Sequence, residues 1–219
     1  MNTDNETRRR AVLEVAGRLL IEKGYAPTSM LQIAKAARAS NETLYKWWPN
    51  KQALFADLVT ENAALVVDAL RAAAAADATP LEVLERIAPV LLRMLTGPLA
   101  IALNRAAAAD STGTRTLGPV LAVEGRERVG AALADLMRRA IEAGEIASSD
   151  AKAAVALFVT LLVGDLQIRL ATGALTHIDE VEVEARARTA IGQFKMLMAH
   201  DPSWMRGSGS ASPAPPSPI

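Results

Sequence analysis

In this 219-residue chain, the polar side chains between residues 41 and 46 give the clearest indication of a chemical role. This run consists of Asn41, Glu42, Thr43, Tyr45 and Lys46, within the segment TSMLQIAKAARASNETLYKWWPNK. These side chains offer hydrogen-bond donors and acceptors on a helix short enough to enter a major groove, where each base pair presents its own donor and acceptor pattern. The chemistry that they predict is the reading of DNA bases.

The apolar residues around this run predict the elements that hold it. Their spacing suits two short helices that cross closely, with a three-residue turn between them. They are Ile33, Ala34, Ala37, Ala39 and Leu44. We therefore expect a helix-turn-helix whose second helix carries the exposed polar side chains.

Capping residues predict where the N-terminal helices begin and end. Apolar pairs recur every four residues over 6–23, and Gly24 predicts a left-handed C-cap after them. Ser29 and Gln32 have the spacing of a capping box at the start of the second helix. Ser40 is the predicted N-cap of the third helix.

The remainder of the chain is also predicted to be helical. Pro49 and Asn50 precede a long fourth helix that runs from about Lys51 into the alanines at 72–76, and no strand pattern competes. Later predicted features are helix starts at Thr79-Pro80 and Gly97-Pro98, a loop over 111–116, a helix from near Pro119 to Gly144, and two apolar helices over about 150–171 and 179–199. The fold class is therefore all-α.

Three parts are expected along the chain. Residues 1–51 form a helix-turn-helix DNA-binding domain, and the helix from about residue 51 connects it to a helical ligand-binding and dimerisation domain over 52–203. Residues 204–219 form a disordered tail, because RGSGSASPAPPSPI holds almost nothing to bury. The two closing helices are apolar on more than one face, so we expect them to pack on a second copy of the chain.

Composition excludes several kinds of site. Without Cys there is no disulfide, thiolate metal site or cysteine nucleophile, which agrees with a reducing cytoplasm. The N-terminus lacks a signal-peptide core, and the longest apolar run, 153–164, is shorter than the roughly 20 residues that span a bilayer. Residues 1–51 carry nine Lys or Arg against five Asp or Glu, and the remainder fifteen against nineteen. This asymmetry predicts a polyanionic partner at the N-terminal end, in a cytoplasmic protein without a membrane partner.

These residues resemble the TetR/AcrR family of transcriptional regulators over roughly residues 8–56. The matching motifs are EKGY at 22–25, Thr28-Ser29, Ile33-Ala34, TLY at 43–45, and Asn50-Lys51 with Leu54. The later matches are Pro98, Asn104-Arg105, Gly144 and VTLLVGDLQIRL at 159–170, which resemble the C-terminal domain of AefR-like members. The resemblance implies an all-helical, effector-sensing and dimerising C-terminal region.

Three features depart from the family pattern. Arg38 stands where the family usually has Gly, and a left-handed backbone there would cost a non-Gly residue about 1 kcal/mol. Trp47 and Trp48 replace a commoner His-Phe pair; we expect Trp48 between the third and fourth helices and Trp47 partly exposed near the DNA backbone. Glu42 is unfavourable towards phosphate, yet it can accept a hydrogen bond from a cytosine amino group.

Physical role and resemblance together predict the DNA contacts. Tyr45 and Lys51 are the predicted phosphate contacts, Lys51 at a helix N-terminus whose dipole also favours anions; the alternatives are a packed tyrosine and a solvated lysine. The other predicted contacts are Asn41, Thr43 and Lys46 to base edges and Thr28 and Ser29 to phosphate. Capping alone would explain Ser29 and Ser40. The arginines at 8–10 are either an arm near phosphates or a solvated helix start.

The candidate effector site consists of polar residues within apolar helices and apolar residues beside them. The polar candidates are Asn104, Arg105, Asp165, Gln167 and Arg169, and the apolar candidates are Leu92, Met94, Phe158, Leu162 and Leu166. A buried polar group needs a partner, which is either an effector or the protein itself, and structural pairing is the favoured interpretation. Apolar residues at helical spacing are usually core, although they would also suit an apolar or amphipathic effector.

No residues support catalysis or metal binding. His177 and His200 lie far apart without a carboxylate or suitable spacing, so we interpret both as surface residues. A phosphate-cradling glycine loop, a nucleophile elbow and paired catalytic carboxylates are all missing from the sequence. We therefore expect neither an enzyme nor a cofactor.

The leading hypothesis is a homodimeric repressor that a small-molecule effector releases from a palindromic operator. The two C-terminal helices would form the dimer interface and set the recognition helices about 34–36 Å apart, one DNA turn. One alternative is a DNA-binding regulator without a ligand sensor. Another is a helical interaction module with a vestigial DNA-binding domain.

Overall fold

The chain is all-α, as predicted, in a computed structural model that describes residues 3–74 and 78–199. The N-terminal helices are α1 (Thr3–Lys23), α2 (Met30–Ala36), α3 (Asn41–Trp47) and α4 (Lys51–Ala74). The remaining helices are α5 (Pro80–Thr96), α6 (Pro98–Asp110), α7 (Leu117–Val120), a π-helical segment (Leu121–Glu127), α8 (Arg128–Glu142), α9 (Ala151–Val163), α10 (Leu166–Thr172) and α11 (Glu180–Met198). The predicted tail and His200 lie outside the described residues.

The predicted caps of the N-terminal helices are confirmed. Ser29 Oγ accepts a hydrogen bond from the Gln32 backbone N–H at 3.2 Å, and Gln32 Oε1 accepts from the Ser29 N–H at 3.0 Å. Ser40 Oγ accepts from the Thr43 N–H at 3.0 Å, and Gly24 has a φ of +83°. These local bonds satisfy backbone groups that helix ends leave without an intrahelical partner.

The prediction of one helix over about 150–171 is wrong. The chain bends by 50° between α9 and α10, at Gly164, whose φ is +52°. Arg186 of α11 donates from Nε to the Leu162 carbonyl at 2.8 Å, and its guanidinium lies where a β-carbon at residue 164 would stand. A side chain 22 positions away in sequence therefore packs against the break, a contact that apolar periodicity within the helix does not reveal.

Two hydrophobic clusters organise the molecule. One joins α1–α3 and the first turns of α4 to α6 and α7, and the other joins the later part of α4 to α5, α8, α9, α10 and α11. Helix α4 therefore belongs to both clusters. The division into domains at residue 51 stays a prediction, since the N-terminal cluster includes Leu103 and Leu117 far beyond that residue.

The apolar helices are shorter than a membrane span. Within 3–74 and 78–199, no single helix is long and apolar enough to cross a bilayer. Two bent pairs, α5 with α6 and α9 with α10, reach that length and composition only when both members are counted.

Candidate DNA-binding surface

Helix α3 has one buried side and one exposed side. Leu44 is 0% exposed, and Trp48, the C-cap residue, is 1% exposed. Asn41, Tyr45 and Lys46 are exposed on the other side. Because successive helical residues are rotated by about 100°, anchoring residue 44 turns residues 45 and 46 towards solvent, and residue 41 is exposed as the first residue of the helix. Asn41 and Lys46 are thus accessible together with Tyr45, whereas Thr43 is only partly exposed and its hydroxyl lies 2.8 Å from the Ser40 hydroxyl.

The turn between α2 and α3 has the left-handed backbone expected at Arg38, whose φ is +51°. The Arg38 N–H donates to the Lys35 carbonyl at 3.3 Å, and the Ala39 N–H donates to the Ala34 carbonyl at 3.0 Å. This pair of bonds is a Schellman motif, which satisfies the last carbonyls of α2. The strain of a β-carbon in this conformation, about 1 kcal/mol, is offset by those hydrogen bonds and the helix packing.

Lys51 lies at the start of α4 and reaches back to the turn before α2. Its ammonium donates to the carbonyls of Tyr25 at 2.7 Å and Thr28 at 2.9 Å, and it lies 4.0 Å from the centre of the Tyr25 ring. Burial lowers the pKa of Lys51 from its usual value. Burial also raises the pKa of Tyr25, with a further contribution from the nearby Asp110 carboxylate. The cation is therefore held beside the N-terminal end of α2.

The two predicted phosphate contacts at the start of α2 differ in their surroundings. Ser29 is exposed, with its hydroxyl acting as the cap of α2. Thr28 is only 4% exposed, and its hydroxyl donates to the Gly24 carbonyl at 2.8 Å. Because a hydroxyl has one proton to donate, a phosphate contact through Thr28 would require that bond to break.

Trp47 and the N-terminal arginines meet beside α3. Trp47 is half-buried, packs edge-on against Trp48 with ring centres 5.6 Å apart, and lines a cleft of about 250 Å³ with Asn5, Glu6 and Arg9. Arg8 is exposed, whereas Arg9 forms an ion pair with Asp57 and Arg10 lies 3.6 Å from Glu61. Two of the three arginines are thus paired with α4 rather than extended as a free arm.

Two acidic residues that sequence reasoning overlooked organise this region. Asp57 accepts a hydrogen bond at 2.5 Å from the Trp48 indole N–H and also binds Arg9. Asp110 accepts from the Leu117 backbone N–H at 3.0 Å, the Thr114 hydroxyl at 2.7 Å and the Thr116 backbone N–H at 2.7 Å, which lower its pKa to about 2. The sequence Asp-Ser-Thr-Gly signals the second, since Asp commonly caps such turns; no local pattern signals Asp57.

The polar effector-site candidates are bonded within the protein. Asn104 donates to the Ala100 carbonyl of its own helix at 2.8 Å, and Gln167 donates to the Leu95 carbonyl at 2.9 Å. Arg105 donates to the carbonyls of Leu170 and Ala171, each at 2.8 Å, at the end of α10. Asp165 and Arg169 are exposed, with their charged atoms 3.9 Å apart. These are the structural pairings that the sequence favoured.

The apolar candidates lie in the C-terminal hydrophobic cluster. Leu92, Phe158 and Leu162 are each 0% exposed, and the Phe158 ring meets Phe194 edge-on at 5.5 Å. A solvent-accessible cleft of about 430 Å³ lies between α9 and α11, and its lining includes Arg186 and Gln193. The structure therefore does not bring the polar and apolar candidates together around one cavity in its described part.

The described residues contain no cluster of three or more His, Asp or Glu side chains suited to a metal ion. His177 is exposed, with Nδ1 3.2 Å from the Thr176 hydroxyl. Its surroundings are those of a surface residue, as expected.

Comparison with known proteins identifies the family. Residues 12–58 match the model for bacterial regulatory proteins of the tetR family, and residues 82–197 match the model for the C-terminal domain of AefR-like transcriptional repressors. The second match alone covers more than half of the chain. The protein therefore belongs to the TetR family of DNA-binding transcriptional regulators, with an AefR-like C-terminal domain.

Individual relatives agree with this assignment. A TetR transcriptional regulator from Agrobacterium tumefaciens is 30% identical, with 87% of this chain and 94% of that chain covered and a TM-score of 0.68. A TetR-family regulator from Mesorhizobium loti MAFF303099 is 25% identical, with 89% and 98% covered and a TM-score of 0.74. The uncharacterized HTH-type regulator YdeS of Bacillus subtilis (strain 168) is 42% identical over 53 residues, which are 24% of this chain and 27% of YdeS.

Proposed function

We propose that the protein is a homodimeric repressor that binds a palindromic operator in the cytoplasm and leaves it when a small molecule binds the C-terminal helices. The observation that carries the DNA-binding part is the exposure of Asn41, Tyr45 and Lys46 on a helix anchored by Leu44 and Trp48. Asn41, Thr43 and Lys46 would contact base edges. Ser29, Tyr45, Trp47 and Lys51 would lie along the phosphates, while Thr28 holds the turn that presents them.

The dimer would form through the exposed side of α9, α10 and α11. Large apolar side chains are exposed on α10 and α11, with Ile168 62%, Val181 76% and Met196 73% accessible. Covering such side chains is favourable because apolar surface leaves water. A symmetric interface here would carry two copies of the 1–51 domain at fixed separation, joined by α4 to the 52–203 domain.

The dimer proposal is tested by changing one exposed side chain. Met196→Glu should shift sedimentation from dimer towards monomer, because a carboxylate would be buried in the interface. Leu65→Glu on α4, where the side chain is 62% exposed, is the matched control and should remain dimeric. A monomeric wild type, or equal dissociation by both variants, contradicts an interface on α11.

The effector proposed for the C-terminal helices is apolar or amphipathic. Leu92, Phe158 and Leu162 are the side chains that such a ligand would meet by parting α5 and α9. Helix α4 packs along α5, so a ligand that favours a parted state would displace α4 and the recognition helix. The complete burial of these three side chains is also what the alternative without a sensor predicts.

Selection of bound sequences from random duplex DNA tests the central proposal. We expect enrichment of a palindrome, bound at least a thousandfold more tightly than scrambled duplex in titrations at two salt concentrations. Asn41→Ala should reduce this preference, whereas Lys152→Ala, an exposed lysine on α9, should leave it unchanged. Weak, salt-sensitive binding without enrichment would contradict the proposal and favour the interaction-module alternative.

A further inference from the structure

We propose that Asp57 is a positioning residue that sets the orientation of the recognition helix α3 relative to α4, through one hydrogen bond to Trp48. The proposal rests on the DNA-binding function proposed above. Asp57 Oδ2 accepts from the Trp48 indole N–H at 2.5 Å, and the same oxygen binds the Arg9 guanidinium. One carboxylate on α4 thereby joins the end of α3 to α1.

The position of Trp48 makes this bond directional. Trp48 is the C-cap residue of α3, and its backbone N–H donates to the Leu44 carbonyl at 2.8 Å. Its ring is 1% exposed, and the Arg9 guanidinium carbon lies 5.4 Å from the ring centre. A buried indole N–H needs an acceptor, and indole has a single donor with a fixed direction. The acceptor on α4 therefore restricts how the C-terminal end of α3 can rotate.

Because α3 is short, this single hydrogen bond has a large influence on its orientation. A seven-residue helix has few side chains with which to define its own angle, and its other end is held by the Ser40 cap. Shape-filling contacts of the ring would still hold the helix against the core without the carboxylate. Losing the hydrogen bond should therefore change the angle and mobility of α3 more than it changes whether the domain folds.

The consequence for DNA binding is a change in sequence preference. Two recognition helices in a dimer must enter successive major grooves in register, so a small change of tilt misplaces base contacts in both half-sites. Binding to arbitrary duplex depends on phosphate charges and tolerates such a tilt. We expect the ratio of operator affinity to scrambled-duplex affinity to fall, while the salt slope for scrambled duplex is retained.

Four variants separate positioning from general stability. Asp57→Ala removes the acceptor, Trp48→Phe removes the donor and keeps a ring, and the double variant removes both. Glu61→Gln is the matched control, because Glu61 lies one turn further along α4 and faces Arg10 of α1 at 3.6 Å. All affinities are measured well below the unfolding temperature of each variant.

Asp57→Ala and Trp48→Phe should each lower the affinity ratio about tenfold, since an orphaned buried donor or a lost charged acceptor has effects of this order. The double variant should be little worse than Asp57→Ala, because that single variant has already lost the hydrogen bond that Trp48→Phe removes. Glu61→Gln should stay within about twofold of the wild type. Additive losses, an equal loss from Glu61→Gln, or an unchanged ratio for Asp57→Ala would overturn the proposal.

Hydrogen exchange without DNA separates this proposal from the proposed function. Asp57→Ala should speed exchange of the Trp48 backbone N–H, which bonds to the Leu44 carbonyl at the end of α3, and leave the Ile33 backbone N–H of α2 nearly unchanged. Unchanged exchange in α3 overturns the role of Asp57 whatever the DNA result. A wild type without operator preference overturns the proposed function, while the exchange measurement still decides whether Asp57 positions α3.

Discussion

The N-terminal and C-terminal regions use polar side chains in opposite ways. On α3, Asn41, Tyr45 and Lys46 project into solvent. In the C-terminal region, Arg105 and Arg186 project onto the backbone carbonyls where α10 and α9 end. An exposed polar side chain is available to a partner, whereas a side chain bonded to a helix end holds two helices together. A polar residue in an apolar helix is therefore weak evidence for a ligand until its bonds are known.

The largest expected effect tests whether the C-terminal core is packed or forms a pocket. Phe158→Ala should lower the free energy of unfolding by about 3–5 kcal/mol, because a fully enclosed ring leaves a cavity. Phe55→Ala in the N-terminal cluster is the matched change and should lose a similar amount. Urea unfolding at fixed protein concentration measures both. A loss below about 1 kcal/mol at Phe158 alone would indicate a pocket already open beside the ring.

The next effect concerns Lys51, whose ammonium donates to backbone carbonyls and is also proposed to contact a DNA phosphate. Lys51→Met should weaken binding to operator and scrambled duplex alike, and should make the slope of log affinity against log salt shallower by about 0.9. Lys152→Met, on α9, serves as the control for loss of one positive charge. An unchanged salt slope would show that the ammonium serves the Tyr25 and Thr28 carbonyls and no phosphate.

Asn41→Ala tests base recognition, as Lys51→Met tests phosphate contact. Operator affinity should fall about tenfold and the preference at one base pair should relax, because an asparagine bonded to a base edge contributes about 1–3 kcal/mol of discrimination. Affinity for scrambled duplex and the salt slope should hardly change, since no charge is removed. An equal loss of affinity for operator and scrambled duplex would show that Asn41 does not contact a base edge.

Asp110, the last residue of α6, predicts a pH dependence of stability. Its pKa is about 2 in the folded protein against a usual 3.8, so it binds fewer protons when folded. The carboxylate therefore stabilises the fold above about pH 4, and this contribution is lost as the pH falls through about 2. The difference in melting temperature between wild type and Asp110→Asn should shrink from pH 5 to pH 2. A constant difference would contradict the assignment.

The smallest expected effect compares two strained arginines, one in the turn of the helix-turn-helix and one in the loop before α7. Arg38 has a φ of +51° and Arg115 a φ of +58°. Replacing either with Gly should stabilise the protein by up to about 1 kcal/mol, because relief of left-handed strain exceeds the added freedom of the unfolded chain. Thermal unfolding of both variants measures this. Destabilisation at Arg38 alone would show that its side chain, rather than its backbone, matters in the helix-turn-helix.

The helix-turn-helix and its polar face could be predicted because they depend on residues close together in sequence. The Ser29–Gln32 box, the Ser40 cap and the left-handed Arg38 lie within a dozen residues, and each follows from local bonding rules. The all-α class follows likewise, since helical periodicity is a property of consecutive residues.

Tertiary structure alone decided what each long-range polar group meets. Asp57 binds Arg9 across 48 positions, Arg105 reaches the end of α10 across 65, and Arg186 of α11 donates to the Leu162 carbonyl at the end of α9. Such pairs arise only after helices pack, and packing chooses among many polar partners that look equivalent along the chain. The sequence by itself therefore determined the elements and the exposed reading face, while the folded chain determined which polar side chains hold those elements at their working angles.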